Sequence, residues 1–574
     1  MTESTTTTTP RPSGIDRPAG FVHVEKGLLV DGSGTPVVLR GVGLGNWLLP
    51  EGYMWKFEPG GPLAPRQIER LIRGLVGSKR AQEFWTRFRA EFITEDDVVR
   101  IAAEGFNHVR VAINSRVLQS EAGKLLEAGF AWIDRLIEWC GRHGLWVVLD
   151  LHGAPGGQTG THIDDSPHAR PELFTDPRYA EMTLQLWRAI AARYRDEPVV
   201  AGYDLLNEPL PHEYQHRYAG ELVDLYKKLT AAVRSEDPNH VIIYEGTHWS
   251  TNWEIFTEVW DPNSMLQCHK YWSRPDRPSV QAFVDQAREL GLPVYMGETG
   301  ENNLEWLQAA FQLYDDCGMS WNLWPWKKVE TVTSPCSVNA PDGWDRITAW
   351  ARGLGPQPSP AAAWTVLGDF LYSLNISRCT YRQDVVNAVM HRAPLRMPAW
   401  GFSFRGENIS YQTTSAKPLA GFRADDLVSL ECANLDSDGA PRFDHNDGAY
   451  RLAQDAIVVC LTPGDWIAFD VDVAETCDLN ITAETDSDDV AATPSIAFSF
   501  DERALSGSAI GSGGTITTRT TARAGLHTVR LGAAMRAVKV RSLTVNPVTA
   551  GPALVRSAAG LRTSTGPVRV TEGA

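Results

Sequence analysis

Between about residues 37 and 355, short apolar runs alternate with longer stretches whose apolar positions recur every three to four residues. Eight of the runs are rich in β-formers and too short for buried helices: 37–45, 106–114, 145–153, 200–208, 240–247, 265–271, 292–298 and 319–326. The stretches between them read as helices, for example 94–104, with Thr94 as N-cap and Asp97 in the first turn, and 130–143. Eight βα repeats predict an α/β fold, a (β/α)8 TIM barrel with its chemistry at the C-terminal ends of the strands. Ahead of it, Phe21 to Arg40 reads as a hairpin turning at the DGSG of 31–34 and closing the barrel's bottom. Behind it lie a Pro/Gly linker at 353–361 and two helices at 361–374 and 383–391. From about residue 396, short alternating strands predict an all-β sandwich domain. The expected divisions are a disordered tail (1–20), the barrel (21–355), a helical linker (356–395), the sandwich (396–550) and a second tail (551–574).

Composition narrows the partners. The 574 residues carry 54 Lys and Arg against 70 Asp and Glu, a formal charge of −16 that repels nucleic acid and anionic membranes. No run reaches the roughly 18 apolar residues of a spanning helix. The N-terminus has neither a basic start nor an apolar stretch, so the expected location is the cytoplasm unless a non-standard route exports the chain. The eight Cys show no C-x-x-C pair or zinc-ligand spacing and are read mostly as buried thiols. Twenty Trp supply flat rings suited both to core packing and to stacking on sugars.

The strand-end rule gathers Arg110 with Asn114, His152, Asn207 with Glu208, Glu245, His269 with Tyr271, Glu298, and Trp324 with Trp326 on one rim. Two glutamates, at the ends of strands four and seven, are the pair glycoside cleavage requires: one protonated for the leaving oxygen, one ionised at the anomeric carbon. Arg110 is placed to keep Glu298 ionised, and a drier pocket to keep Glu208 protonated. Asn207 is a donor for a sugar 2-hydroxyl, Tyr271 orients Glu298, His269 buffers Glu208, and Trp324 offers a face to the ring. His152 either binds sugar or holds its loop.

Two other classes compete. His212-Glu213-Tyr214-Gln215-His216 matches the H-E-x-x-H pattern of zinc metalloproteases, which a helix would place on one face, with Glu236 at a distance for a third ligand. A non-catalytic sugar-binding barrel is the other, and possession of both glutamates argues against it. The GSGGT of 511–515 lacks the P-loop lysine and reads as a sandwich turn.

The stretches LRGVGLGNW (39–47), NHVRVAIN (107–114), LDLHGAPGGQTG (149–160), YDLLNEP (203–209), CHKY (268–271), YMGETG (295–300) and SWNLWPWK (320–327) resemble glycoside hydrolase family 5 over about residues 25–355. The resemblance implies a retaining (β/α)8 enzyme with Glu208 as acid/base and Glu298 as nucleophile. Arg110, His152, Asn207, His269, Tyr271 and Trp324 then form the surrounding shell. Within the family, HGAPGGQTG and Trp47-Leu-Leu-Pro-Glu51-Gly-Tyr53-Met54 are similar to fungal exo-β-1,3-glucanases, which implies that Glu51 recognises the non-reducing glucose; Gly52 stands where those enzymes have proline. Broader β-glucosidases, including some acting on glucosyl lipids, share that lineage. The stretches NDGAYRLAQDAIVV (446–459), PGDWIAFDVDVAE (463–475) and LHTVRLG (526–532) resemble carbohydrate-binding modules, with Trp466 expected in the core. The expected function is a retaining β-glycosidase acting on β-glucosides or β-1,3-glucan-type oligosaccharides without metal or organic cofactor. An endo-β-glucanase or mannanase is the alternative within the family. The 60 residues from Asn46 to Gly105 are expected to wall one end of the cleft and favour exo action.

Overall fold

The structure is a computed structural model. It describes residues 20–548, except 415, 438, 444–456, 487–495, 506–508 and 511–513. Both expected tails, apart from Gly20, therefore lie outside the described residues, as do 446–456 of the expected module motif and the start of GSGGT.

All eight expected strands form, and they close one parallel barrel. With a preceding hairpin of β1 (His23–Glu25) and β2 (Leu28–Val30), the barrel strands are β3 (Arg40–Gly43), β4 (His108–Asn114), β5 (Trp146–Gly153), β6 (Val200–Asp204), β7 (Val241–Glu245), β8 (Ser264–Tyr271), β9 (Val294–Gly300) and β10 (Ser320–Trp324). β10 pairs with β3 to complete the ring. The hairpin does cap the barrel's lower end: Val22, Leu29 and Leu39 pack with Val148, Ala201, Val241, Ile243, Met265 and Tyr295. Its turn, however, falls at Lys26-Gly27, both with positive φ, and not at DGSG. The DGSG segment makes a second turn, in which Asp31 accepts from the amides of Ser33 and Thr35.

The helix Glu95–Ala103 starts where expected, with the Asp97 carboxylate accepting from both the amide and the hydroxyl of Thr94. The long segment before β4 also carries the helix Pro65–Phe92. An aromatic cluster ties that segment to the helical linker: Trp55 and Trp344 both pack on Phe370, at ring-centroid separations of 5.0 and 4.4 Å. Seven of the twenty Trp go wholly into packing. Trp47, Trp55, Trp187, Trp306, Trp321, Trp326 and Trp400 are fully buried core residues. Of the eight cysteines, all unpaired, Cys140, Cys268 and Cys336 are buried and the other five half-buried, so the expectation of mostly buried thiols is corrected.

The C-terminal region is a sandwich of one seven-stranded and one five-stranded sheet. In the smaller sheet Trp466–Val473 pairs antiparallel with Gly525–Ala533. Trp466 begins the first of these strands at its margin, half-buried under the Arg530 guanidinium, and is not the core residue expected. The sandwich is fastened to the barrel by polar groups. Arg423 is fully buried between the rings of Phe402 and Phe404, donates to the carbonyls of Trp400, Phe402 and Ser403, and its amide bonds Asp276 on the barrel side. Asn302, four residues past Glu298, donates to the carbonyl of Phe443. Asp316, at the end of the helix Leu304–Asp316, faces Arg405 and Asp470.

Candidate active site

The residues named for the rim are joined by contacts at the barrel's mouth except Asn114, whose side chain accepts from the Arg116 amide and donates to Asp165, and Trp326. That ring points into the packing beside the barrel, where its Nε1 donates to Asp97, a carboxylate also held by the buried Lys327. At the centre is Arg110 on β4, fully buried. Its guanidinium lies 2.5 Å from Glu298, 2.8 Å from Asp204, 3.1 Å from Glu245 and 3.2 Å from Asp150. Four carboxyl groups around one cation cannot all ionise cheaply in a dry interior. Burial pushes Asp150 up to about 7 and raises Glu245 well above the usual carboxylate range.

Glu298 is delivered by a β-bulge. β8 and β9 slip register between Cys268 and His269, so His269 pairs with Glu298 while Gly297 is the extra residue. A side chain at Gly297 would meet the Gln267 amide at about 2.2 Å, so only glycine lets the bulge form there. The Glu298 carboxylate accepts from Arg110 Nη1 at 2.5 Å and from the Tyr271 hydroxyl at 3.1 Å. Burial raises its pKa, while His269, Arg110 and His152 pull the other way.

Glu208 follows β6 in a left-handed backbone conformation, φ 43°. Its Oε1 lies 2.8 Å from His269 Nδ1, and burial pushes its carboxyl up to about 7. The His269 ring is held near 3 by burial and stays neutral. Gln267 Nε2 lies 2.8 Å from His269 Nε2 and donates to Asp204 and Glu245, which ties the far side of the ring to the buried carboxyls. Oxygens of Glu208 and Glu298 and a nitrogen of His269 lie within 4.8 Å of one another.

The remaining shell is built around these two groups. His152 pairs through Nδ1 with Asp150 at 2.7 Å, its ring lies parallel to Trp324 with centroids 5.3 Å apart, and burial lowers its pKa to about 4. Asn207 accepts from Arg110 Nη2 at 2.8 Å, which turns its Nδ2 outward as a donor next to His152. Gln158, from the HGAPGGQTG loop, donates to the carbonyls of both His152 and Asn207. Trp324 Nε1 donates to the Tyr53 hydroxyl at 3.2 Å. Glu51 is buried beside them, and burial together with the charges of Glu298, Glu301 and Glu208 raises its pKa well above normal. Gly52 has a structural reason for replacing proline: its amide donates to the Leu63 carbonyl, a bond proline lacks, and a β-carbon would collide with Pro62 O at 1.8 Å.

Asp150, Asp204, Gln267, Tyr53 and the buried pair Lys328–Glu301 (2.6 Å) complete the pocket and were not singled out from sequence. Two triads have atoms close enough to share a metal ion, Asp150–His152–Glu298 and Glu208–His269–Glu298, and Glu298, which both need, is already held by Arg110 and Tyr271. The H-E-x-x-H reading fails on geometry. Residues 211–217 form turns, the helix begins only at Ala219, and His212 and His216 are both exposed. Neither they nor Glu236 belong to a metal-capable group among the described residues.

Residues 73–330 match the model of cellulase, glycosyl hydrolase family 5. A beta-xylosidase of Phanerodontia chrysosporium is 29% identical over 349 residues, covering 54% of this chain and 71% of the relative. A probable glucan 1,3-beta-glucosidase A of Aspergillus clavatus is 29% identical over 383 residues, covering 56% of this chain and 88% of the relative. Among solved structures, an endogalactoceramidase is 16% identical at a TM-score of 0.43, covering 91% of this chain and 99% of its own. The chain is a glycoside hydrolase, and residues 73–330 of its barrel are what the family 5 model matches.

Proposed function

We propose that Glu298 is the nucleophile and Glu208 the acid/base of a double displacement on β-glucosides or β-1,3-glucan-type oligosaccharides. The observation that carries the reading is that one oxygen of each carboxyl group lies within 4.8 Å of the other, with Arg110 on one group and His269 on the other. Retaining enzymes hold this pair about 5–5.5 Å apart, and inverting ones need about 6.5 Å or more to admit a water. In the first step Glu298 attacks the anomeric carbon from below, the glycosidic C–O bond breaks, and the Glu208 proton passes to the leaving oxygen. In the second, Glu208 takes a proton from water, whose oxygen displaces Glu298 and restores both groups. Asn207 Nδ2 binds the sugar 2-hydroxyl, where the contact strengthens as the oxocarbenium develops. Glu51, buried in the same wall, binds the far hydroxyls of the non-reducing glucose, with Trp324 and Tyr53 fixing that wall. The names of the relatives support a glucoside or a xyloside, and Glu51 favours glucose because xylose lacks the C6 hydroxyl.

The test is product release from aryl β-glucoside, aryl β-xyloside and laminari-oligosaccharides, with and without EDTA, followed by NMR at early time. Glucose released first as the β-anomer, unaffected by EDTA and at a higher kcat/KM than xylose, is the expected result. First appearance of the α-anomer would remove the retaining assignment of the pair. Release of longer products alone would replace exo with endo action.

A further inference from the structure

Glu245, the last residue of β7, is fully buried and touches no predicted substrate position, yet it bonds the backbone of Glu208 and the Arg110 that holds Glu298. Its Oε2 accepts from the backbone amide of Glu208 at 2.7 Å. Its Oε1 accepts from Gln267 Nε2 at 2.5 Å and from Arg110 Nη2 at 3.1 Å, and lies 3.5 Å from His269 Nε2. Arg110 holds Glu298, and His269 holds the Glu208 carboxyl. The main chain of Glu245 is itself anchored, since the Tyr226 hydroxyl donates to its carbonyl at 2.9 Å. The bond to the Glu208 amide matters because Glu208 sits at φ 43°, a left-handed conformation that a non-glycine residue keeps only when its surroundings enforce it.

We propose that Glu245 is a positioning residue for the acid/base: by holding the Glu208 amide and bracing Arg110, it keeps the Glu208 carboxyl aimed at the leaving oxygen. The inference rests on the reading of Glu208 as acid/base. Its carboxyl oxygens do two separable jobs, Oε2 accepting from the Glu208 amide and Oε1 accepting from Arg110 and Gln267, and two conservative variants separate them. Glu245→Gln keeps an oxygen at full reach for the Glu208 amide and replaces the other with an NH2 that cannot accept from Arg110. Glu245→Asp keeps both oxygens but withdraws them by one carbon from the Glu208 amide.

The experiment compares kcat/KM on a dinitrophenyl glucoside, whose leaving group needs little protonation, with that on laminaribiose, whose leaving group needs it fully. Glu208→Ala is run in parallel, and each variant's thermal unfolding is recorded. Glu245→Asp is expected to lose at least about 10-fold more on laminaribiose than on the activated glucoside, part of the roughly 10²–10⁴-fold that a positioned acid contributes, while Glu245→Gln shows a smaller selective loss. Equal losses on both substrates, or a selective loss in Glu245→Gln that Glu245→Asp lacks, would overturn the positioning role. If Glu208→Ala itself shows no leaving-group selectivity, the assignment of Glu208 fails, and that failure is read separately from the Glu245 comparison. A melting temperature lowered without leaving-group selectivity would mark Glu245 as structural only and also overturn the proposal.

Discussion

Gly43 lies so close under Trp324 that a β-carbon at position 43 would fall 2.3 Å from the indole. Gly45 stands in the same relation at 2.6 Å, so the two glycines of LRGVGLGNW make the floor on which the Trp324 ring lies beside His152. Gly43→Ala is expected to displace the indole, break its bond to Tyr53 and raise KM for aryl glucosides, with a stability loss of about 1–3 kcal/mol from overpacking. Thermal unfolding and steady-state kinetics check both; an unchanged KM would mean that Trp324 is not a wall of the sugar site.

Glu298→Gln should fold normally and lose activity by at least about 10⁴-fold, as removal of a nucleophile does. Small external anions give the sharper assignment. Azide should restore turnover of an activated glucoside in Glu298→Ala with formation of the α-glycosyl azide, and in Glu208→Ala with formation of the β-glycosyl azide. Product stereochemistry by NMR decides, and exchanged outcomes would exchange the roles.

The pH profile of kcat/KM should be bell-shaped. Glu208 acts as an acid, so activity falls as pH rises through its raised pKa of about 7. Glu298 acts as a base-form nucleophile, so activity falls as pH drops through a pKa that burial also raises. Glu208→Gln should erase the alkaline limb on an activated substrate and leave the acid limb in place.

At the junction of barrel and sandwich, Asp316 accepts from the Phe404 amide and from Gln312, and faces Arg405 and Asp470. Burial first and the Asp470 charge next push Asp316 up to about 7, with Arg405 opposing. The folded protein therefore holds a proton that the unfolded chain releases near pH 4, and stability falls as pH rises from about 4 to 7. The melting temperature should drop across that range, and Asp316→Asn should flatten the drop. An identical slope in the variant would show that Asp316 does not contribute.

The rim was legible because a barrel puts its chemistry at strand ends, and the ends of apolar runs can be read directly: His152, Glu208, His269, Tyr271, Glu298 and Trp324 all arrive there, whereas Arg110 is the third residue of β4 and reaches the same groups from inside the barrel. The layer beneath was not. Asp150 and Asp204 lie inside runs that look uniformly apolar, and only closure of the barrel turns them toward Arg110. Lys328 and Glu301 come from different strand ends, so their pairing is a product of the fold. The hairpin turn was misplaced because DGSG is the stronger local turn signal, while burial of Val22 and Leu29 selects the earlier register through Lys26-Gly27. The H-E-x-x-H pattern failed because its spacing has meaning only on a helix.

The bond from Asn302 to Phe443 and the seat of Arg423 on Asp276 join the sandwich to the two barrel loops that leave the strands carrying Tyr271 and Glu298. Those loops borrow part of their rigidity from a segment more than a hundred residues downstream in the chain. The C-terminal region is therefore not an exchangeable cassette. A chain cut at the linker would keep every catalytic side chain and lose the buttress behind two of them, and grafting a different module onto the barrel would change the enzyme even where no sugar ever touches the graft.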